Sequence, residues 1–250
     1  MKFTTAIFIL IAFTVPTSAL SATFRCEKMF EKKNQLQIPS DFACNTQAAH
    51  GDNLRLLFNT NKPLFAKKLL TLVKLDNNIG GIQLNGSNKI LLRSAILTYS
   101  PQCLFQIKQQ YHIDNIVNLY YGQLVDLSKQ IEQEKKLFKK SGGDQYINIL
   151  NFSYKTQEYK SRAEMNTHIA KITNTVLSLP GNTLIHCLIG SHRTGIIFGV
   201  IQKCVNHAPL NEIIDNYKCH VGWKSNAHPG AYHQENIDVI KEFPCDLINN

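Results

Sequence analysis

From about residue 88 onward the spacing of hydrophobic positions changes period repeatedly, and each change marks an element. Lys89–Leu97, KILLRSAIL, is a short apolar run of buried-strand length. Ser100 then stands before Pro101, a cap and first-position pair that opens a helix reaching about Tyr111. Asn115–Tyr121, NIVNLYY, is β-branched and apolar over a strand's length. Ser128–Lys140 reads as a helix opened by Ser128 and closed by Lys135, Lys136, Lys139 and Lys140, with Gly142-Gly143 ending it. Tyr146–Phe152 alternates as a strand. Ala163–Leu179 places Met165, Ile169, Ile172, Val176 and Leu179 on one helical face. Pro180-Gly181 terminates that helix, and Thr183–His186 is a further strand. An apolar helix follows from Arg193, and another spans Pro209–Tyr217. Strands alternating with helices predict an α/β domain with a central, mostly parallel sheet flanked by helices. The loop from Cys187 to Thr194 then leaves a strand's carboxyl end and enters a helix's N-terminus, where such sheets bind ligands.

The two ends read differently. Lys2 precedes the apolar run Ala6–Val15, and small residues follow it up to Ala19 and Ala22. A basic start, a short apolar centre and a small-residue cut site describe a secretory signal peptide over residues 1–22. Residues 24–80 are polar, Asn-rich and weakly periodic. The division that results is a signal peptide (1–22), an irregular N-terminal extension (23–87), a core domain (88–218) and a tail (219–250) packed on that domain. No later apolar stretch is long enough to span a bilayer. The expected destination is outside the cytoplasm, periplasmic or secreted.

Export changes how the cysteines read. All seven (Cys26, Cys44, Cys103, Cys187, Cys204, Cys219, Cys245) lie beyond the cut, and an odd number leaves at least one thiol unpaired. Proximity in sequence suggests Cys26 with Cys44 and Cys219 with Cys245. No Cys or His spacing resembles a zinc site, so neither metal nor other cofactor is expected. The formal charge of +9 becomes +8 without Lys2. Such a surface favours anionic partners, and with no nucleic-acid motif in the chain the expected partner is a phosphorylated substrate.

One stretch carries chemistry: His186-Cys187-Leu188-Ile189-Gly190-Ser191-His192-Arg193-Thr194-Gly195. A cysteine nucleophile needs nearby positive potential, and a helix N-terminus supplies some. The amides of Leu188, Ile189, Gly190, Ser191, His192 and Arg193 can turn inward as an anion nest, with Gly190 allowing the curvature. Arg193 adds a planar fork for two phosphate oxygens. A phosphate held there has Cys187 beneath its phosphorus, a geometry suited to phosphoryl transfer to sulfur and then to water.

His186-Cys187-x5-Arg193-Thr194-Gly195 resembles the signature of the cysteine-dependent protein tyrosine phosphatases. The run Arg93-Ser94, then Ile113, Ile116-Val117-Asn118-Leu119, is similar to the opening of the small dual-specificity phosphatases. The likeness covers roughly residues 88–218 and extends to exported enzymes of Gram-negative bacteria. The GSHRTG ending also looks like atypical plant and fungal enzymes, some of which act on inositol pyrophosphates. The resemblance implies a dual-specificity-phosphatase-like fold, Cys187 as nucleophile, Arg193 as phosphate clamp and Thr194 assisting release of the phosphocysteine. His186 is expected to orient the loop without touching substrate.

This family supplies an aspartate as general acid, and the chain has none between Gln145 and His186. Glu158 falls in the expected loop ahead of Glu164, and His192 is a second candidate. Lys155, Lys160 and Arg162 bracket Glu158 and form a candidate rim for extra negative charge on a phosphoprotein, a phosphoinositide or an inositol phosphate. Cys204 or Cys219 could trap an oxidised Cys187. Two other readings stay open: a catalytically weak phosphate- or polyanion-binding module that kept the nest, and a rhodanese-like sulfurtransferase, which the Arg193-Thr194 ending disfavours.

Overall fold

The computed structural model describes residues 35–36, 44, 77–120, 126–149, 151–221 and 231–249, without the side chains of 231–233. The predicted signal peptide, nearly all of the segment before Asn77, Cys26 and Trp223 lie outside the described residues. Strands β1 (Gly80–Gln83), β2 (Ile90–Ser94), β3 (Ile113–Asn118), β4 (Gln145–Asn148) and β5 (Asn182–His186) form one sheet in the order β1-β2-β5-β3-β4. Only β1 runs antiparallel, at the edge; the other four are parallel. The helices are α1 (Pro101–Tyr111), α2 (Ser128–Lys140), α3 (Arg162–Ser178), α4 (His192–Cys204), α5 (Leu210–His220) and α6 (Ala231–Glu242). The α/β architecture with a mostly parallel sheet is therefore what the alternation predicted.

The strands are apolar on consecutive residues because both faces of the sheet are covered. Leu91, Val117 and Ile185 pack with α3 and α4 through Met165, Ile169, Ile196 and Ile197. Their neighbours Leu92, Ile116 and Leu184 point to the other face, against Leu104 and Ile107 of α1 and Phe138 of α2. Helices α5 and α6 meet in a smaller cluster of Ile213, Tyr217, Val221, Ile237 and Ile240.

The last strand in sequence, β5, is inserted between β2 and β3, so its carboxyl end lies at the sheet's centre. The register aligns Ser94 with His186, and His186 and Asn148 with Asn118. Four polar residues thus line the carboxyl edge from which the Cys187 loop departs.

Several boundaries differ from the pattern. The sheet begins upstream of residue 88, because β1 pairs with β2. β3 stops at Asn118, whose side chain donates to the Tyr120 carbonyl and accepts from the Tyr120 N–H, turning the chain out of the ladder. β4 stops at Asn148, and Asn151 beyond it takes a left-handed φ of 64°. Ser100 makes no cap bond; its hydroxyl accepts from Asn77 instead. α2 is preceded by Asp126, whose carboxylate accepts both the N–H and the hydroxyl of Ser128.

The disulfide guesses are corrected. Cys44 bonds Cys103 and Cys204 bonds Cys245, and Cys219 is also disulfide-bonded. Chain neighbours were the wrong guide, because α1 and α4 carry Cys103 and Cys204 across the fold to distant segments. Cys187 is the free cysteine among the described residues.

Candidate active site

The loop after β5 owes its shape to where its carbonyls go. The Leu188 carbonyl accepts from the Ile96 N–H at 3.1 Å. The Ile189 carbonyl accepts from Asn78 Nδ2 at 2.9 Å, and the Gly190 carbonyl from Arg93 Nη2 at 2.6 Å. His186 Nδ1 lies 3.2 Å from the Cys187 carbonyl and must donate to bond it. All the peptide bonds are trans. In a trans peptide the N–H of one residue points opposite the carbonyl of the residue before it. Four successive carbonyls held by the scaffold therefore turn the amides of Leu188, Ile189, Gly190 and Ser191 to the inside of the loop, as an anion nest requires. Gly190 completes the bend at φ 70°. A Cβ there would sit 2.5 Å from the Ser94 carbonyl oxygen, so the position tolerates no side chain.

Cys187 sits at the base of this loop, 3% exposed. Arg193, also buried, is the second residue of α4. Its Nε donates to the Phe152 carbonyl at 2.7 Å, and its guanidinium lies over the rings of Tyr154 and Tyr120. The fork is thus held in plane by the segment between β4 and α3. Thr194 is fully buried, and its hydroxyl has no hydrogen-bond partner. Ser191 donates to the His220 carbonyl, and His220 in turn meets Asn78, which fixes the loop's far side.

Behind Cys187 lies a buried network. His186 Nε2 is 3.0 Å from the Glu134 carboxylate, and neither side chain is exposed. The same carboxylate accepts from the Tyr146 hydroxyl and the Leu97 N–H. Burial alone would raise the Glu134 pKa. The pull of His186 and the hydrogen bonds from His186, Tyr146 and Leu97 outweigh it and hold the carboxyl below its ordinary value. His186 thus links the Cys187 carbonyl to the Glu134 carboxylate. Tyr146 is pushed far above the usual phenol range by burial and by Glu134 beside it.

The structure places Glu158 in a 3-10 turn, Thr156–Glu158, six residues after the Phe152 carbonyl that holds Arg193. Tyr159 closes this segment, its hydroxyl donating to the Ser153 carbonyl and accepting the Ser153 N–H. Glu158 is half exposed and lies 3.6 Å from Lys155. His192 stacks on Tyr154 with ring centroids 4.5 Å apart. Its Nδ1 faces Asn236 Nδ2 at 3.1 Å and, opposite an amide donor, must accept. Of the proposed rim, Arg162 bonds Glu242 at 2.8 Å and Lys155 faces Glu158, whereas at Lys160 it is the backbone N–H that donates to the Glu164 carboxylate. Two of the three basic side chains therefore face a carboxylate of their own.

Sequence reasoning missed Glu134, Asn78 and Tyr154, and did not place Arg93 under the loop. Glu134 did carry a signal. It occupies a position in the stripe Ile131–Glu134–Phe138, the buried face of α2. A groove of about 820 Å³ between α1 and α2, lined by Leu104, Phe105 and Leu137 among others, takes in none of residues 187–194. Among the described residues no cluster of His, Cys, Asp and Glu is placed to hold a metal, and no helix is long and apolar enough to cross a membrane.

No protein-family model matches the chain, and no curated protein matches it either. Solved structures do. The core catalytic domain of the PP-IP phosphatase SIW14 from S. cerevisiae, in complex with citrate, aligns at 18% identity and a TM-score of 0.43, over 62% of this chain and 82% of that one. TpbA of P. aeruginosa aligns at 13% identity and a TM-score of 0.43, over 62% and 81%.

Proposed function

We propose that the chain is an exported, cysteine-dependent phosphatase that hydrolyses phosphate monoesters through a phosphocysteine intermediate, without metal. What supports this reading is how the loop is held: its carbonyls are bonded to Ile96, Asn78 and Arg93, which leaves its amides for an oxyanion, Arg193 is pinned to the Phe152 carbonyl, and Cys187 is the free thiol among the described residues. Oxyanions of a bound phosphate accept from the amides and from Arg193. The Cys187 thiolate attacks phosphorus, the P–O bond to the leaving group breaks, and that oxygen takes a proton from Glu158. Water then attacks the phosphocysteine, giving its proton to Glu158 and returning the thiolate. The Thr194 hydroxyl, buried without a partner, is positioned to hydrogen-bond the departing sulfur. His192, stacked on Tyr154 with Nδ1 facing Asn236, is the lesser candidate for the acid.

The anionic substrate is a phosphoprotein, a phosphoinositide or an inositol phosphate. Lys155 faces Glu158 and Arg162 faces Glu242, so extra negative charge on the substrate is read first at the Lys160 ammonium. The disulfides fit an oxidising compartment, periplasmic or secreted.

The test is steady turnover of para-nitrophenyl phosphate. Wild type turns over, Cys187→Ser does not, and Glu158→Gln loses about 10²–10⁴-fold on alkyl phosphates and less on aryl phosphates, whose leaving groups need less protonation. A wild type that binds vanadate and shows no turnover assigns the loop to a phosphate-binding module instead. The exposed, lysine-paired setting of Glu158 is the observation on that side.

A further inference from the structure

Arg93 is a buried cation that the phosphoryl-transfer steps do not use. It is 1% exposed, on β2 directly beneath the loop. Its contacts are the Gly190 carbonyl at 2.6 Å, the Asn216 side-chain oxygen at 3.5 Å and the face of Phe198 at 5.3 Å. Its Nε has no partner. No carboxylate among the described residues pairs with it. A guanidinium buried with neutral partners alone is costly, because desolvation is not returned by any opposite charge.

We propose that the Cys187 thiolate is the counter-ion of Arg93, so that the nucleophile is held as an anion from below by a charge distinct from the Arg193 clamp above. This rests on the reading of Cys187 as nucleophile, and it adds a positioning residue outside the motif. The other charged or titratable groups around the sulfur are accounted for. Arg193 donates to the Phe152 carbonyl. His186 pairs with Glu134, which also engages Tyr146. His192 and Tyr217 both meet Asn236, Tyr154 stacks on His192, Tyr120 lies at Arg193, and His220 meets Asn78. Burial pushes the Arg93 guanidinium down to about 9, with the Cys187 sulfur and the Tyr217 phenol pulling it back. At neutral pH it stays charged and available to the thiolate.

The experiment is the rate of Cys187 alkylation by iodoacetamide at pH 7, located by peptide mass, in wild type, Arg93→Gln and Arg93→Lys. Arg93→Gln retains a donor for the Gly190 carbonyl but no charge, and is expected to react about tenfold more slowly. Arg93→Lys retains the charge and is expected within about threefold of wild type. Equal slowing in both variants reduces Arg93 to a neutral anchor of Gly190 and overturns the proposal. A third measurement needs no variant. Iodoacetamide is uncharged, and a buried cation is poorly screened, so the wild-type rate changes less than about twofold between 0.05 M and 1 M NaCl. A steep fall with salt puts the activation in exposed lysines such as Lys155 and Lys160, and also overturns it. Alkylation requires no turnover, so a shifted rate in an enzyme inert toward phosphate esters would sink the phosphatase reading while leaving this one standing.

Discussion

At the scale of single residues, the site depends on which atoms cannot be added. Gly190 holds a φ of 70°, and a Cβ would meet the Ser94 carbonyl oxygen at 2.5 Å, its carbon at 2.6 Å and the Ala95 nitrogen at 2.8 Å. All three are backbone atoms of the strand end, with no flexible side chain to move aside. Left-handed backbone costs a non-glycine residue about 1–2 kcal/mol before any contact is counted. For Gly190→Ala the loop must therefore lift from β2, breaking the bond from Arg93 to the Gly190 carbonyl. A displacement of about 1 Å in a positioning group costs about 10²-fold in rate. The expected outcome is a lower melting temperature together with a loss of at least about 10²-fold in kcat/KM on para-nitrophenyl phosphate. A fully active Gly190→Ala would mean that the amides are not what binds the oxyanion. Thr194 shows the converse economy, a buried hydroxyl left without a protein partner. Stability alone would favour an apolar side chain there, so the hydroxyl points to a use outside the resting fold.

At the scale of elements, α2 reaches the site through one side chain. Glu134 joins α2 to β4 through Tyr146, to the turn after β2 through the Leu97 N–H, and to β5 through His186. Removing one member of a buried charged pair costs about 3–5 kcal/mol, so Glu134→Gln should be destabilised by about that much near neutrality. The folded Glu134 carboxyl ionises below the ordinary glutamate value of 4.5. Its contribution is therefore fully present above about 4.5 and is lost as pH falls through the depressed folded value. Urea titrations of wild type and Glu134→Gln should show a constant gap at pH 6–7 that closes in acid. A gap unchanged down to pH 3 would mean the ionised carboxylate is not what stabilises the fold. This residue also marks how far the sequence was legible. Elements set by local periodicity emerged close to their true bounds: α2, α3 and β5 were readable from apolar spacing and glycine stops alone. What depended on partners far along the chain did not. β1 is four residues, defined by its pairing with β2. Ser161 caps α3 by accepting the Glu164 N–H, while the Glu164 carboxylate accepts the Lys160 N–H, a reciprocal capping pair. The proposed nucleophile and clamp were legible because seven consecutive residues, Cys187 to Arg193, hold both. The roles of Arg93 and Glu134 were not, because strand order brings β2 beside β5 and the packing of α2 brings Glu134 to His186, from about 94 and 53 positions before Cys187.

At the scale of the whole molecule, an oxidant able to form the scaffold's disulfides can also attack the free Cys187 thiol. Cys204 ends α4, whose first turn carries Arg193 and Thr194, and its disulfide to Cys245 ties that helix to the 3-10 turn Cys245–Leu247 near the end of the described chain. Cys44–Cys103 ties an N-terminal residue to α1. With Cys204 and Cys219 already disulfide-bonded, neither supplies the free thiol expected to trap an oxidised Cys187. Reductant therefore acts on two separate targets: it regenerates an oxidised Cys187, and it opens the cross-links. The Cys204–Cys245 bridge spans 41 residues, and in the chain-entropy account closing a loop of that length stabilises by about 4 kcal/mol, with measured bridges typically giving about 2–4. Replacing both cysteines by serine should lower unfolding free energy by that amount in urea. It should leave kcat/KM on para-nitrophenyl phosphate within about twofold of wild type well below the melt, because no atom of the bridge touches the loop carbonyls or Arg193. Activity that falls in step with the serine replacement while the fold persists would show instead that the covalent anchor at the far end of α4 sets the placement of its first turn. The loop's geometry would then be a property of the cross-linked molecule and not of the sheet beneath it.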